Sequence, residues 1–243
     1  MRPTVLLTGG FGNLGGRVAS ALHLTGNWNI RLASRTHLSP PAWAPDATVV
    51  NLDLLNRDQV DIACSGVTSI IHLAALNDRQ AAADPNLAEA ISGAGTKLLL
   101  DAAAKHKVDR FIFMSTAHVY SSPLQGTVTE KTLTTNSHPY ATSHLSGERE
   151  VAKRHQMGDV AGVILRCANG FGVPMDPGVN IWHVLVNDLC NQVASGGSMT
   201  LRSSGLQERN FIPIADICAS ILHFLNIDAR HIGDGLFNLG GPK

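Results

Sequence analysis

Residues 4–15 read Thr-Val-Leu-Leu-Thr-Gly-Gly-Phe-Gly-Asn-Leu-Gly, so an apolar, β-prone run feeds directly into glycines at 9, 12 and 15. A helical pattern follows over Asn13–Leu24. Strand, tight turn and helix in that order mark a dinucleotide-binding unit. Gly9 permits the sharp exit from the strand. Gly12 lets backbone amides approach a pyrophosphate, and Gly15 lets the helix pack closely on the sheet. The competing reading is a tight turn that holds no nucleotide.

The rest of the chain extends the pattern. Strands are predicted at Thr4–Thr8, Asn29–Ala33, Thr48–Val50, Ser69–Leu73, Arg110–Ser115, Gly162–Arg166 and Leu236–Leu239. Helices are predicted at Asn13–Leu24, Pro85–His106, Pro139–Gln156, Ile181–Ala194 and Ile214–Leu225. Runs such as Phe111-Ile112-Phe113-Met114 are continuously apolar, which suits parallel strands buried on both faces. The alternation predicts an α/β, Rossmann-type, doubly wound parallel sheet. Residues 1–166 form its nucleotide-binding part. Residues 167–207, rich in glycine and proline, read as loops and one helix of a small substrate lobe, and residues 208–243 return to the sheet.

Composition limits the partners. The 243 residues are 44% hydrophobic and 16% charged, with 19 Lys+Arg against 19 Asp+Glu. That balance carries no electrostatic footprint for nucleic acid or an anionic membrane. The first apolar run is too short for a signal peptide or membrane span, so a soluble cytoplasmic protein is expected. Cys64, Cys167, Cys190 and Cys218 are widely spaced and read as buried apolar residues. No metal site is expected, since His23, His106 and His155 lack ligand spacing. Ile181, Val184 and Leu185 read as core or subunit-interface positions.

The second strand ends in Ser34-Arg35, where a site specific for NAD usually carries an acid on the ribose hydroxyls. Arg35 can pair with a 2′-phosphate, which favours NADP over NAD. A solvated loop arginine is the alternative. Asp53, after the third strand, is placed to accept from an adenine amino group.

Taken together, these residues resemble the extended short-chain dehydrogenase/reductase superfamily, in its sugar-nucleotide epimerase/dehydratase branch. The likeness covers nearly the whole chain: the Gly9–Gly15 turn, Asp53-Leu54, His72-Leu73-Ala74-Ala75, Gly95-Thr96, Ser115-Thr116-Ala117-His118-Val119-Tyr120, Pro139-Tyr140-Ala141 and Gly147-Glu148. It continues through Leu165–Gly172, Arg209-Asn210-Phe211-Ile212 with Asp216, and Phe237-Asn238-Leu239-Gly240. The resemblance implies that family members run on past the last strand, so the C-terminal part of the substrate lobe is expected to be missing from a chain ending at Lys243.

The resemblance also implies roles. Tyr140 is the acid–base group and Thr116 holds the reacting oxygen while hydride passes to or from nicotinamide. Gly9, Phe11, Gly12, Asn13, Leu14, Gly15, Ser34, Arg35, Asp53, Leu54, Leu73, Ala74, Ala75 and Ser115 line the cofactor, joined by Tyr140 and His144. His118, Asn169 and Arg209 face a nucleotide sugar; as alternatives they are a packing histidine, a turn-former and a surface ion-pair residue. A homodimer is implied as well.

One position departs from the family. Tyr140-Ala141-Thr142-Ser143-His144 has histidine where the family has lysine, one helical turn after the tyrosine. Three readings stand: His144 held charged in place of the lysine, His144 neutral on the ribose and shuttling protons, or a catalytically weak site in a binding protein. Ser143 or a water could also relay the proton. Ala117-His118 after Thr116 disfavours dehydration, leaving an epimerase or 4-keto-sugar reductase of carbohydrate biosynthesis. The alternative of another class is a non-catalytic NADP(H)-binding sensor or scaffold.

Overall fold

The computed structural model describes residues 2–36, 39–121, 124 and 126–242. Nine strands occur among them: β1 (Thr4–Thr8), β2 (Asn29–Ser34), β3 (Thr48–Asn51), β4 (Ser69–His72), β5 (Arg110–Thr116), β6 (Ala161–Cys167), β7 (Asn169–Phe171), β8 (Phe211–Pro213) and β9 (Leu236–Leu239). Seven form one sheet in the order β3-β2-β1-β4-β5-β6-β9, and every pairing is parallel. This is the doubly wound Rossmann-type arrangement that the glycine turn and the alternation predict.

Burial explains the continuous apolar runs. Val5 and Leu7 face one core with Val18, Leu22, Ile217 and Ile221, while Leu6 faces the other with Ile70, Leu100, Phe111 and Val151. Successive side chains of one strand therefore feed both layers, so no polar alternation survives. The first core is closed by α1 (Asn13–Thr25). The second is closed by α2 (Arg57–Cys64), which precedes α3 (Asp78–Ala83), α4 (Pro85–Glu89), α5 (Thr96–Lys105) and the long α6 (Pro139–Gln156). Beyond these come α7 (Leu185–Ala194) and α8 (Ile214–Asn226), the latter lying against α1.

Several expectations need correction. The single helix expected over Pro85–His106 is α4, a π-helical stretch at Ala90–Gly95, and α5. Glycines sit where neighbours come close: a Cβ on Gly95 would meet Leu54 Cβ at 3.0 Å, and one on Gly93 would meet Ser146 Cβ at 3.2 Å. The helix expected from Ile181 starts at Leu185, because Val184 is extended. Residues 167–207 are not only loops and a helix, since β7 pairs in parallel with β8. Cys190 is exposed, whereas Cys64 and Cys218 are buried and Cys167 is half-buried; all four thiols are free.

Helices α2 and α3 were not expected, yet both carry a cap signal. Asn56 Oδ1 accepts the amides of Asp58 and Gln59, each at 3.1 Å. Asn77 Oδ1 accepts the Gln80 amide at 2.9 Å while Gln80 Oε1 accepts the Asn77 amide at 3.1 Å, a reciprocal capping box. The shared pattern Asn-x-x-Gln is visible in the sequence. Among the described residues no helix is long and apolar enough to cross a membrane.

Candidate active site

The strand order reverses between β1 and β4, and ligands of open α/β sheets bind in the crevice beyond such a switch point. Gly9 leaves β1 with φ +71°, and a Cβ there would meet the main chain of Leu73 and Ala74 at 3.0 Å. The Gly12 amide donates to Gly9 O at 3.0 Å, and a Cβ on Gly15 would lie 2.0 Å from that same oxygen. Gly15 is thus demanded by the turn itself, whereas Gly12 keeps 3.3 Å of clearance. Helix α1 has no side-chain cap on Gly12 and no acid in its first turn. Its amide end stays open to an anion. Beside it, Asn13 Oδ1 is buried with no hydrogen-bond partner, an acceptor suited to a ligand hydroxyl. Turn and orphaned oxygen together fit a dinucleotide.

Thr8 ties the turn to β4. Its Oγ1 accepts the amides of Leu73 (3.2 Å) and Ala74 (3.3 Å) and lies 2.6 Å from His72 Nδ1. With those amides donating, the Thr8 hydroxyl gives its proton to Nδ1, so His72 carries hydrogen on Nε2 and donates to Thr96 Oγ1 at 3.0 Å. Full burial pushes the His72 pKa down to about 3 and keeps the ring neutral.

Ser34, Arg35 and Asp53 lie at the carboxyl ends of β2 and β3, on the same sheet edge as Gly9. Ser34 Oγ accepts the Thr36 amide at 3.1 Å, and Arg35 is exposed. Asp53 is exposed too, with Oδ1 accepting the Leu55 amide at 3.0 Å. Leu54, expected at the cofactor, buries its side chain in the core. Phe11 is half-buried and packs against the other core.

The chemistry-bearing side chains gather where β5, β6 and α6 meet. Thr116 ends β5 opposite Cys167 of β6. Its Oγ1 accepts the His118 amide at 3.1 Å, capping a 3-10 turn over Ala117–Val119, and Thr116 lines the same cleft as Tyr140. Tyr140 is in the first turn of α6, where Pro139 starts the helix and His138 Nδ1 accepts the Tyr140 amide. Burial pushes the phenol up to about 12, and the neighbouring Thr116 hydroxyl pulls in the opposite direction.

His144 stacks on Tyr140 with ring centroids 4.4 Å apart. It is buried, and Nδ1 lies 2.7 Å from the Tyr140 carbonyl. A carbonyl only accepts, so Nδ1 bears the proton. Burial lowers the His144 pKa, against the reading in which its surroundings hold it charged.

Ser115, expected at the cofactor, donates its hydroxyl to Glu148 Oε1 at 2.5 Å. Glu148 also takes Nε (2.9 Å) and Nη2 (2.6 Å) of Arg166. Arg166 lies 4.8 Å from the centre of the Tyr120 ring, and the Tyr120 hydroxyl donates to Asn238 Oδ1. This buried network props β5 on α6 and β6 beneath Thr116.

A cleft of about 880 Å³ opens above these strands. It joins Asn13, Leu14, Ser115, Thr116, His118, Tyr140, Asn169 and Arg209. His118 and Asn169 both line the cleft, and Asn169 Nδ2 donates to Asn210 O at 2.9 Å. Arg209 donates to Gln207 Oε1 at 2.9 Å. Val184 and Leu185 line the cleft as well, rather than only core or a subunit contact. Sequence reasoning missed Asn77, Asp78, Asn136, His138, Asp188 and Arg202 on its wall. Only Asn77-Asp78 carried a signal, as the start of a capped helix. Among the described residues no group of three or more His, Cys, Asp or Glu is placed to hold a metal.

The model of the NAD dependent epimerase/dehydratase family matches residues 5–240. A dTDP-glucose 4,6-dehydratase of Streptomyces niveus is 27% identical over 208 residues, covering 82% of this chain and 59% of that protein. The chain therefore spans less than two thirds of that relative's length. The UDP-glucuronic acid 4-epimerase from Bacillus cereus, solved with UDP-glucuronic acid and NAD, superposes with TM-score 0.82 at 25% identity, covering 99% of this chain and 78% of that one. The UDP-N-acetylglucosamine 4-epimerase from Methanobrevibacter ruminantium M1 is similar in fold, with TM-score 0.85 at 21% identity, over 100% of this chain and 78% of that one.

Proposed function

Since the chain belongs to the NAD-dependent epimerase/dehydratase family, we propose that it is a nicotinamide-dependent oxidoreductase acting on a nucleotide-activated sugar, as an epimerase or 4-keto-sugar reductase. The observation that carries this reading is the placing of Thr116 and Tyr140 together on one cleft that reaches Asn13 and Leu14 at the start of α1. Bound nicotinamide supplies hydride acceptance and return. Tyr140 takes the proton of the sugar hydroxyl and gives it back, and Thr116 holds the oxygen in line. The Gly9–Gly15 turn and the open end of α1 hold the pyrophosphate. Asn169 and Arg209 face the sugar and the diphosphate of the substrate. Arg35, exposed at the end of β2, pairs with a 2′-phosphate and favours NADP over NAD.

A second reading has its own observation. His144 is buried and binds the Tyr140 carbonyl, so the residue one turn after the tyrosine supplies no cation to the phenol near neutral pH. A non-catalytic NADP(H)-binding module is consistent with that arrangement.

Turnover of UDP- and dTDP-sugars by the wild type and Tyr140→Phe separates the two. Activity falling by about 10²-fold or more in Tyr140→Phe supports the enzyme. Tight dinucleotide binding without turnover of any nucleotide sugar supports the binding module. Dissociation constants for NAD and NADP before and after Arg35→Ala test the cofactor preference, and an unchanged ratio removes Arg35 from it.

A further inference from the structure

An acid–base tyrosine either takes a proton from a sugar hydroxyl or gives one to a sugar ketone. The charges around the phenol decide between the two. His144, one turn after Tyr140 on α6, stacks on it with ring centroids 4.4 Å apart. Its Nδ1 proton is spent on the Tyr140 carbonyl at 2.7 Å, and its other nitrogen only accepts. His118 stands edge-on to the same phenol ring, with centroids 6.4 Å apart. Burial keeps both imidazoles uncharged near neutral pH. On the N-terminal side, His138 Nδ1 accepts the Tyr140 amide at 3.2 Å. The Asp78 carboxylate at the start of α3 and the Cys167 thiol at the end of β6 stand on the wall of the same cleft. Burial, Cys167 and Asp78 all disfavour a phenolate, and the neighbouring Thr116 hydroxyl opposes them. Two arginines of the cleft are engaged elsewhere: Arg209 bonds Gln207 Oε1 at 2.9 Å, and Arg202 lies 3.6 Å from Asp188 Oδ2.

We propose that Tyr140 donates a proton rather than takes one, so that the chain is a reductase of ketone-bearing nucleotide sugars and consumes a reduced nicotinamide dinucleotide in each turnover. The sugar-nucleotide class rests on the oxidoreductase reading above; the direction goes beyond it. The ketone carbon takes hydride, with its electron pair, from the reduced dinucleotide as the C=O π pair moves onto oxygen. The Tyr140 phenol gives its proton to that oxygen while Thr116 holds it. The products are a secondary alcohol, the oxidised dinucleotide and a Tyr140 phenolate, which recovers a proton from water. An epimerase must begin the other way, by removing an alcohol proton with a phenolate that this site scarcely holds at neutral pH.

The magnitudes separate the two directions. With the phenol pushed up to about 12, roughly one Tyr140 in 10⁵ is phenolate at pH 7. Oxidation of an alcohol draws on that small fraction and rises towards alkaline pH. Reduction of a ketone draws on the protonated form, which is nearly the whole population, and stays level until the phenol titrates. A phenol this weak is still acid enough for the alkoxide that forms as hydride arrives.

The chain has two tyrosines, Tyr120 and Tyr140, so the phenol can be followed directly. Tyrosinate absorbance after stopped-flow pH jumps, wild type less Tyr140→Phe, should place Tyr140 above the ordinary value of about 10. His144→Lys should bring it down by at least about one unit. Initial rates are measured beside it. UDP- and dTDP-linked 4-keto-6-deoxyglucose with NADH or NADPH should be reduced at a rate that stays level from neutrality to about pH 9. UDP- and dTDP-glucose with NAD or NADP should be oxidised or epimerised at least tenfold more slowly at neutral pH, and His144→Lys should raise that rate at least tenfold. A Tyr140 phenol titrating at or below its ordinary value overturns the proposal. So does a wild type that epimerises the alcohols at neutral pH as fast as it reduces the ketones. Both wild-type measurements decide the matter even where His144→Lys does not fold. Hydride exchange without that preference sinks the proposed direction alone, whereas no hydride exchange with any of these sugars overturns the oxidoreductase reading and the direction with it.

Discussion

His144 Nδ1 lies 2.7 Å from the main-chain carbonyl of Tyr140, one turn earlier on α6. The bond closes on the helix itself, so the imidazole's one N–H is committed to the backbone of the residue it would activate. Its remaining nitrogen can only accept. The position that carries a free donor and a charge when lysine fills it here carries no charge near neutral pH, and its donor is already spent on the backbone.

The pH profile should report this. With the Tyr140 phenol pushed up to about 12, kcat/KM of the wild type is expected to rise towards alkaline pH. A cation within reach lowers an acid's pKa by about 1–3 units. His144→Lys should therefore move that limb towards neutrality by at least about one unit. An unmoved limb would show that the titrating group is not Tyr140.

The glycine turn separates folding from binding. Gly15→Ala drives a methyl into a main-chain oxygen 2.0 Å away, which cannot retreat. A loss of about 1–3 kcal/mol in urea unfolding is expected. Gly12→Ala has 3.3 Å of clearance and should cost about 1 kcal/mol or less. Its methyl would stand where a phosphate approaches, so the dinucleotide dissociation constant should rise tenfold or more. Wild-type binding by Gly12→Ala would mean that phosphate lies elsewhere.

The Glu148–Arg166 pair is buried on both sides, each side chain 7% exposed. Glu148→Leu strands the guanidinium and should cost about 3–5 kcal/mol. Adding Arg166→Leu should recover part of that loss, because the unpaired charge disappears with it. A double variant as unstable as the sum of the two singles would show that the pair acts through packing alone.

Acid should loosen the fold through His72. Its folded pKa is about 3, against ~6.5 for an unfolded histidine. Below about pH 6.5 the unfolded chain therefore binds more protons than the native one. Stability is complete above that pH and is lost as pH falls towards 3, by about 2 kcal/mol at pH 5 for this one group. His144, also lowered, acts in the same direction. Urea unfolding at pH 7 and pH 5 should give a smaller difference for His72→Gln than for the wild type; equal differences would remove His72 as the cause.

Much of this architecture follows from local sequence. Strand β1 at Thr4–Thr8, strand β9 at Leu236–Leu239 and helix α6 at Pro139–Gln156 begin and end where apolar runs, glycines and the proline place them. Those signals act through backbone dihedrals and nearest neighbours, so the chain declares them by itself. The same holds for Gly9, Gly12 and Gly15, and for Tyr140 and His144 on one helix face. Helices α2 and α3 were not expected: each leaves a local mark, Asn56-x-x-Gln59 and Asn77-x-x-Gln80, but helices this short show little periodicity to read.

What only the tertiary structure decided is state and company. His118, Tyr140 and Asn169 come from three separate elements and meet because β5 and β6 end side by side while α6 packs across them. Residues 90–95 leave the α-helical path where glycines bring them against Leu54 and Ser146, contacts that no local pattern encodes. Above all, the sequence placed a histidine at 144, but burial against Tyr140 and Phe113 settled its charge. Desolvation depends on everything that surrounds a group, and that is written only in the folded chain.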